Sequence, residues 1–272
     1  MAATVDLRLT FNCQEFDLRG LGNPAPRAFF PSIPSSTKPP LSPAHRAALD
    51  GNPWFTSMPR AQRDALLGAA ELLHVRRGTM VFRQGDPIHA AGGGFYGLVA
   101  GTIKISSLRQ DGREAILAVL EPGNWFGEIT LIDGSPRTHD ATALEALDLL
   151  VVPPEAFVRQ MRDVVFSNAI AAMLAARVRM LYGLAEDATL RSLRARVAHR
   201  LLVLARGDAT QSVHLRHELM LSQEALAMML GVTRQTLSKE LNALATEGVV
   251  SLGYGRIELL SLEALQGLVR TG

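Results

Sequence analysis

The chain has 272 residues, 47% hydrophobic and 20% charged, with a formal net charge of +2, which is room for one large domain or two modest ones of ordinary globular composition. No uninterrupted apolar run approaches the ~20 residues of a bilayer span, so no membrane partner is expected, and residues 1–16 lack the basic leader and apolar core of a secretory signal. The single cysteine, Cys13, can form no intrachain disulfide and cannot alone hold zinc or an iron–sulfur cluster, which fits a reducing cytoplasm.

Residues 21–43 hold seven of the 14 prolines, with Ser35, Ser36 and Thr37 among them. Such a stretch builds neither helix nor central strand and has little to bury, so residues 1–46 read as a flexible tail. The segment "RAQRDALLGAAELLHV", residues 60–75, has helical spacing. From about Gly78 the pattern becomes β-like. Short apolar or alternating runs, "TMVF", "FYGLVA", "TIKIS", "EAILAVL" and "LDLLVV", are parted by turn signals at Gly85-Asp86, Asp111-Gly112 and Pro122-Gly123. Strands so closely spaced suggest an antiparallel sandwich or roll over residues 47–155.

Within that region "GEITLIDGSPRTHDA", Gly127 to Ala141, stands apart. It opens with a glycine and a carboxylate, Glu128, and places Arg137 and Thr138 behind a proline, all between apolar strand-like runs. Pro153-Pro154 then ends the strands, and Glu155 onward reads as helix. Residues 156–190 form one long helical stretch in which Ile170, Leu174, Val178, Leu181, Ala185 and Ala188 recur at spacings of four and three. That narrow seam is the pattern of a helix pairing with a second copy of itself, or else of one packed on its own domain, and its length and narrowness favour the pairing.

Residues 191–272 open with a further helical run, "LRARVAHRLLVLA". From Arg191 to Arg256 there are nine Arg or Lys against five Asp or Glu, an excess of four positive charges that leaves about −2 elsewhere, which on charge alone suits a polyanion partner or a solvated basic face equally. In "LSQEALAMMLGVTRQTLSKELNALATEG", Ser222 is placed to cap a first helix carrying Leu226, Met229 and Leu230, with small Ala227 where a second helix must approach. Gly231 falls where the chain must turn, and Thr233 caps a second helix with a buried stripe of Leu237, Leu241 and Leu244. The opposite face offers Arg234, Gln235, Ser238 and Lys239. Arginine makes two hydrogen bonds to guanine and glutamine two to adenine, while Thr233, Thr236 and the helix N-terminus suit phosphate. Two short apolar runs around "GYG", residues 253–255, read as a hairpin wing.

The pattern Ser222, Leu226-Ala227, Leu230-Gly231-Val232-Thr233-Arg234, Leu237 and Lys239, preceded by a β-rich half and a long helix, resembles the winged helix-turn-helix regulators of the bacterial Crp–Fnr family over about residues 47–260. The resemblance implies an α+β protein: an N-terminal antiparallel β-roll of the cyclic-nucleotide-binding kind, a long dimerisation helix and a C-terminal winged helix-turn-helix. It implies a homodimeric, non-enzymatic, cytoplasmic transcription regulator that binds a near-palindromic DNA duplex, works with RNA polymerase and responds to a small ligand. By the same resemblance Arg234, Gln235 and Lys239 occupy the base-reading positions. Gln235 stands where the best-known members have glutamate and Lys239 where they have arginine, which implies a different operator.

"FGEITLIDGSPRTHDA" in turn resembles the family's phosphate-binding cassette. That implies Arg137 and Thr138 on the phosphate, Gly127 admitting the ligand to the backbone, and Glu128 accepting from the ribose hydroxyl with Arg177 of the long helix beside it. The polar pair that receives adenine in relatives falls at Leu181 and Tyr182, and His139 stands where relatives have a small residue. Cyclic AMP or cyclic GMP is the expected ligand, with a cyclic dinucleotide or no ligand as alternatives. No haem and no iron–sulfur cluster are expected; His74, His89 and His139 qualify as haem ligands by residue type only.

Overall fold

The computed structural model describes residues 41–88, 93–108, 114–207 and 216–271. The tail expected over 1–46 therefore falls largely outside the described residues, as do His89, Cys13 and the turn at Asp111-Gly112. Its last residues are helical. α1 (Pro43–Asp50) begins there because Ser42 accepts the His45 N–H and Pro43 takes the first turn, where no N–H is missed. α2 (Pro53–Ser57) repeats the device with Asn52 as cap.

The helix expected over residues 60–75 is shorter. α3 (Arg60–Ala69) ends at Ala70, and Glu71–Val75 is β1, paired residue for residue with Val151–Leu147. Here cross-strand pairing overrides a local spacing that a helix would also satisfy. β2 (Met80–Phe82), β3 (Phe95–Ala100), β4 (Ile103–Leu108), β5 (Glu114–Leu120), β6 (Trp125–Phe126), the short helix α4 (Glu128–Asp133), β7 (Asp140–Ala143) and β8 (Leu147–Val152) follow. Two antiparallel four-stranded sheets, ordered β1-β8-β3-β6 and β2-β7-β4-β5, make the β-roll.

One core of the roll is aromatic. Trp125 stacks on Phe95 at 5.1 Å and on Phe55 at 6.0 Å, and Phe157 packs on Phe95 at 5.2 Å and on Phe166 at 5.7 Å. Phe157 belongs to α5 (Pro154–Gln160) and Phe166 to α6 (Val164–Leu190). The expected single helix is thus two, parted at residues 161–163, where Asp163 accepts the N–H groups of Val165 and Phe166 and starts α6 anew.

α6 is apolar and largely uncovered. Its mean hydropathy reaches 1.5 and its length and composition would cross a membrane, although only 17% of that window is buried. The expectation of no such stretch counted uninterrupted runs; α6 carries Arg177 and Arg179 yet stays apolar on average. The seam itself divides. Ile170 is buried in the roll and Leu174 half-buried, whereas Val178, Leu181, Ala185 and Ala188 face outward, Val178 at 46% and Leu181 at 58% exposure. The first turns of α6 are core of its own domain, and the later turns present an apolar face that this chain leaves uncovered.

Beyond Arg191-Ser192 lies the C-terminal half: α7 (Leu193–Ala205), β9 (Glu218–Leu219), α8 (Gln223–Leu230), α9 (Arg234–Thr246), β10 (Val250–Gly253), β11 (Arg256–Leu259) and α10 (Leu262–Thr271), with sheet order β10-β11-β9. Leu201, Leu226, Leu237, Leu241, Leu244 and Leu265 are fully buried in its single core. α10 lies beyond residue 260, where the sequence motifs end. It packs on α7, and Arg191 donates to the Val269 carbonyl.

Candidate functional site

The strand β6 delivers the chain to Gly127, whose φ of +90° sends it into α4. A Cβ at this position would stand 2.8 Å from the Tyr96 ring, 2.9 Å from the Gly94 carbonyl and 3.1 Å from Arg137 Nη1. The glycine expected to admit a ligand is thus required first by the protein's own packing, on both conformation and space.

Glu128 follows, with no exposed surface. One oxygen, Oε1, accepts from Nη1 of Arg177, which reaches across from α6 while its Nη2 donates to the Trp125 carbonyl. The other oxygen, Oε2, is buried without a hydrogen-bond partner. An unsatisfied buried carboxylate oxygen is costly, on the order of 1–3 kcal/mol or more, so this atom marks a place where a donor belongs.

Arg137 is only 4% exposed. Its guanidinium donates to the carbonyls of Gly127 (2.8 Å) and Gly94 (3.1 Å) and lies over the rings of Phe82 (4.5 Å) and Tyr96 (5.6 Å). Its backbone is fixed to the turn after β2, donating to the Asp86 carbonyl and accepting from Gly85. Among the described residues it has no carboxylate in ion-pair range. Burial accordingly draws its pKa below the ordinary arginine value, against the pull of Tyr96, Glu128 and Asp86. The same burial raises the Tyr96 phenol, with Arg137 opposing. Two carbonyl bonds and the Tyr96 side chain engage part of its five donors; a buried cation with donors to spare and no carboxylate in ion-pair range suits an anion.

Thr138 is exposed, with its hydroxyl oxygen 2.9 Å from Nδ1 of His139. Tyr182, expected at the base-receiving position, is not brought to this cluster. It is 72% exposed and five residues past Arg177, hence about 140° round the helix at about 3.6 residues per turn. Leu181, a turn beyond Arg177, is also exposed. Of the histidines weighed as haem ligands, His74 is held by Asp148 at 2.5 Å, and among the described residues no group of three or more His, Cys, Asp or Glu could hold a metal. Sequence reasoning missed Tyr96, Phe82 and the Gly94 carbonyl. They come from β2, β3 and the residue just before β3, and only the glycine and aromatics of "GGGFYG" hinted at close approach.

The second surface is in the C-terminal half. Ser222 caps α8 through the Ala225 N–H, Gly231 ends it in the left-handed conformation at φ +67°, and Thr233 caps α9 through the Thr236 N–H. Thr233 also bonds the Thr236 hydroxyl at 2.8 Å. With Leu237, Leu241 and Leu244 buried, Arg234, Gln235 and Lys239 stand exposed together and Ser238 half-exposed; neither of the two cations has an ion-pair partner among the described residues. Such a face meets base edges and phosphates when a helix lies in the major groove.

Known proteins agree with this division. Residues 72–163 match the family model described as cyclic nucleotide-binding domain, and residues 195–268 that of the Crp-like helix-turn-helix domain. Over 219 residues the chain is 31% identical to the cyclic AMP receptor protein of Thermus thermophilus, covering 80% of this chain and 97% of that one. The chain belongs to the Crp–Fnr family. It is a DNA-binding transcription regulator built from a cyclic-nucleotide-binding β-roll and a winged helix-turn-helix.

Other Crp–Fnr relatives include the CRP-like cAMP-activated global transcriptional regulator of Mycobacterium tuberculosis, 31% identical over 189 residues, 68% of this chain and 81% of that one. Among solved structures, a CRP-family transcriptional regulator from Thermus thermophilus superposes with a TM-score of 0.59 at 27% identity, covering 74% of this chain and 97% of that one. FixK2 from Bradyrhizobium japonicum, with a TM-score of 0.64 at 24% identity over 73% and 96% of the two chains, shares the fold.

Gly127→Ala tests the packing at the cassette. It forces a Cβ into Tyr96 at a left-handed φ, so the β-roll should lose roughly 1–3 kcal/mol in denaturant unfolding. Unchanged stability would mean that the close approach at Gly127 does not exist.

Proposed function

We propose that this regulator acts as a cytoplasmic homodimer whose affinity for a near-palindromic operator is set by a purine cyclic mononucleotide bound in the β-roll, with RNA polymerase as the further partner its regulatory role requires. The observation that carries the ligand half of this reading is the buried, half-satisfied Glu128 beside the counter-charge-free Arg137. A ribose hydroxyl has the donor that Glu128 Oε2 lacks, and a cyclic phosphate has the single negative charge that Arg137 lacks. Thr138 would add its hydroxyl to the phosphate. Arg177, bonded to the same carboxylate from α6, ties occupancy to the helix that leads to the DNA-binding half. The base preference is open between adenine and guanine, since Leu181 and Tyr182 stand outside the cluster.

The DNA half rests on α9. Arg234, Gln235 and Lys239 would read bases, with Thr233, Thr236 and Ser238 toward the backbone. The uncovered face of α6, with Val178 and Leu181, supports pairing of two copies about this helix, which would present two α9 helices about one DNA turn apart.

Three measurements bear on this. In calorimetry cyclic AMP or cyclic GMP should bind, and its 2′-deoxy analogue should bind roughly ten- to a hundredfold more weakly, the worth of a hydrogen bond to a charged group; equal affinities would remove Glu128 from the site. Leu181→Glu puts a charge on the apolar face and should shift the protein to monomer in light scattering. A dimer that persists would place the interface elsewhere. In gel shifts Arg234→Ala should lose on the order of 1–3 kcal/mol for the operator and much less for random DNA, whereas an equal loss on both would assign Arg234 to phosphate alone.

A further inference from the structure

The residue after Thr138 gives the site a chemistry of its own. His139 Nδ1 lies 2.9 Å from the Thr138 hydroxyl oxygen, a distance at which a single proton lies between them. When the imidazole is neutral with its proton on Nε2, Nδ1 accepts, and the hydroxyl gives its only proton to the ring. When the imidazole is charged, Nδ1–H donates to the hydroxyl oxygen instead, and the hydroxyl proton is free to turn toward an anion. The neutral ring with its proton on Nδ1 also frees the hydroxyl, but only the imidazolium brings a positive charge with it.

We propose that a cyclic phosphate seated at Arg137 and Thr138 draws a proton onto His139, so that nucleotide binding by this regulator is proton-coupled. This rests on the cyclic-nucleotide reading above and specifies how that same site is regulated.

The surroundings of His139 favour such uptake. The ring is half-buried, and burial holds its pKa below the ordinary histidine value against the opposing charge of Asp140. The ligand-free ring is therefore neutral near pH ~7, with a proton still to gain. Asp140 itself, at the start of β7, accepts the Gln84 N–H at 2.8 Å. Of the strands flanking β7, β2 carries no titratable side chain, and β4 carries Lys104, held by Glu114. In the turn after β2, Asp86 accepts the Arg83 N–H. The Arg137 guanidinium points inward to the Gly127 and Gly94 carbonyls. An incoming anion would be a new negative charge close to the Thr138–His139 pair, and it favours the protonated ring.

The sign follows from linkage. The bound-state pKa lies above the free-state one, so affinity is lowest above the bound-state pKa and rises as pH falls. The gain is complete below the free-state pKa. Each unit by which the anion lifts His139 tightens binding about tenfold across that window.

The test is calorimetric titration of the full-length protein with cyclic AMP and cyclic GMP near pH ~7, in PIPES and in imidazole, which differ in ionisation enthalpy, with Kd followed from pH ~6 to ~8. The expected result is uptake of a fraction of a proton per site and a Kd that weakens toward high pH. His139→Asn keeps a side-chain amide to hold the Thr138 hydroxyl but cannot titrate, so it should still bind, with neither uptake nor pH dependence. Wild-type binding without proton exchange, or uptake that persists in His139→Asn, would overturn the proton coupling and leave the ligand assignment standing. Binding of neither nucleotide at any pH would overturn the ligand assignment, and the coupling with it.

Discussion

The buried bond between Glu128 and Arg177 is the constraint around which the molecule is arranged. A carboxylate with no exposed surface cannot be left alone in a low-dielectric interior, and removing one partner of such a pair costs about 3–5 kcal/mol. Because the carboxylate sits on the cassette and the guanidinium on α6, this bond fixes where the middle of the long helix lies against the roll. Arg177 closes the arrangement by donating to the Trp125 carbonyl, and Trp125 is itself the centre of the aromatic cluster that holds Phe157 and Phe166. The start of α6 is thus core, its middle is held by one ion pair, and its last turns are held by neither.

Where α6 ends, different forces take over. Asp187 accepts from Arg191 at 2.6 Å and from His199 of α7, which sets the angle of the short link at Arg191-Ser192. Arg216 spans from Glu121 of the roll to the Leu204 carbonyl of α7. Between them β5, α6, α7 and α8 border a recess of about 150 Å³, open on one side and lined by Leu117, Leu184, Arg196 and Met229 among others. A junction of polar ties and apolar side chains packed around a recess resists rearrangement less than a close-packed core does. On the proposed reading, that is where a change at Glu128 would be felt by α9.

How much of this was legible in the sequence depended on range. The helix-turn-helix was readable in detail because its signals are local: Ser222, Gly231 and Thr233 each act on a backbone group within three or four residues of themselves. The longer strands were readable for the same reason. Residues 71–75 were not, because "ELLHV" satisfies a helical period and becomes β1 only through pairing with β8, more than 70 residues away. β6 and β7 are too short to leave a periodic trace, and α10 lay past the last motif. In the cassette the sequence exposed Glu128, Arg137 and Thr138 as out of place, but not the Tyr96 and Phe82 rings that enclose Arg137, since strand neighbours share no spacing. Tyr182 shows the limit of position along a helix: five residues past Arg177, it lies on another side of α6 and is exposed in this chain.

The charges in the cassette also bear on what kind of anion fits. Were Arg137 a purely structural arginine, the economical partner would be a carboxylate, and Glu128 lies close enough for its charge to act on it. That carboxylate is bonded to Arg177 instead, so the pair cancels and Arg137 is left with carbonyl dipoles, the Tyr96 side chain and ring faces. Two guanidiniums against one carboxylate leave one buried positive charge. Carbonyls can orient such a charge, yet they cannot neutralise it, and burial draws the Arg137 pKa below the ordinary arginine value. One singly charged ligand group restores balance. A cyclic mononucleotide carries one such charge and a hydroxyl for Glu128 Oε2 besides, whereas a cyclic dinucleotide brings two negative charges and would need a second cation.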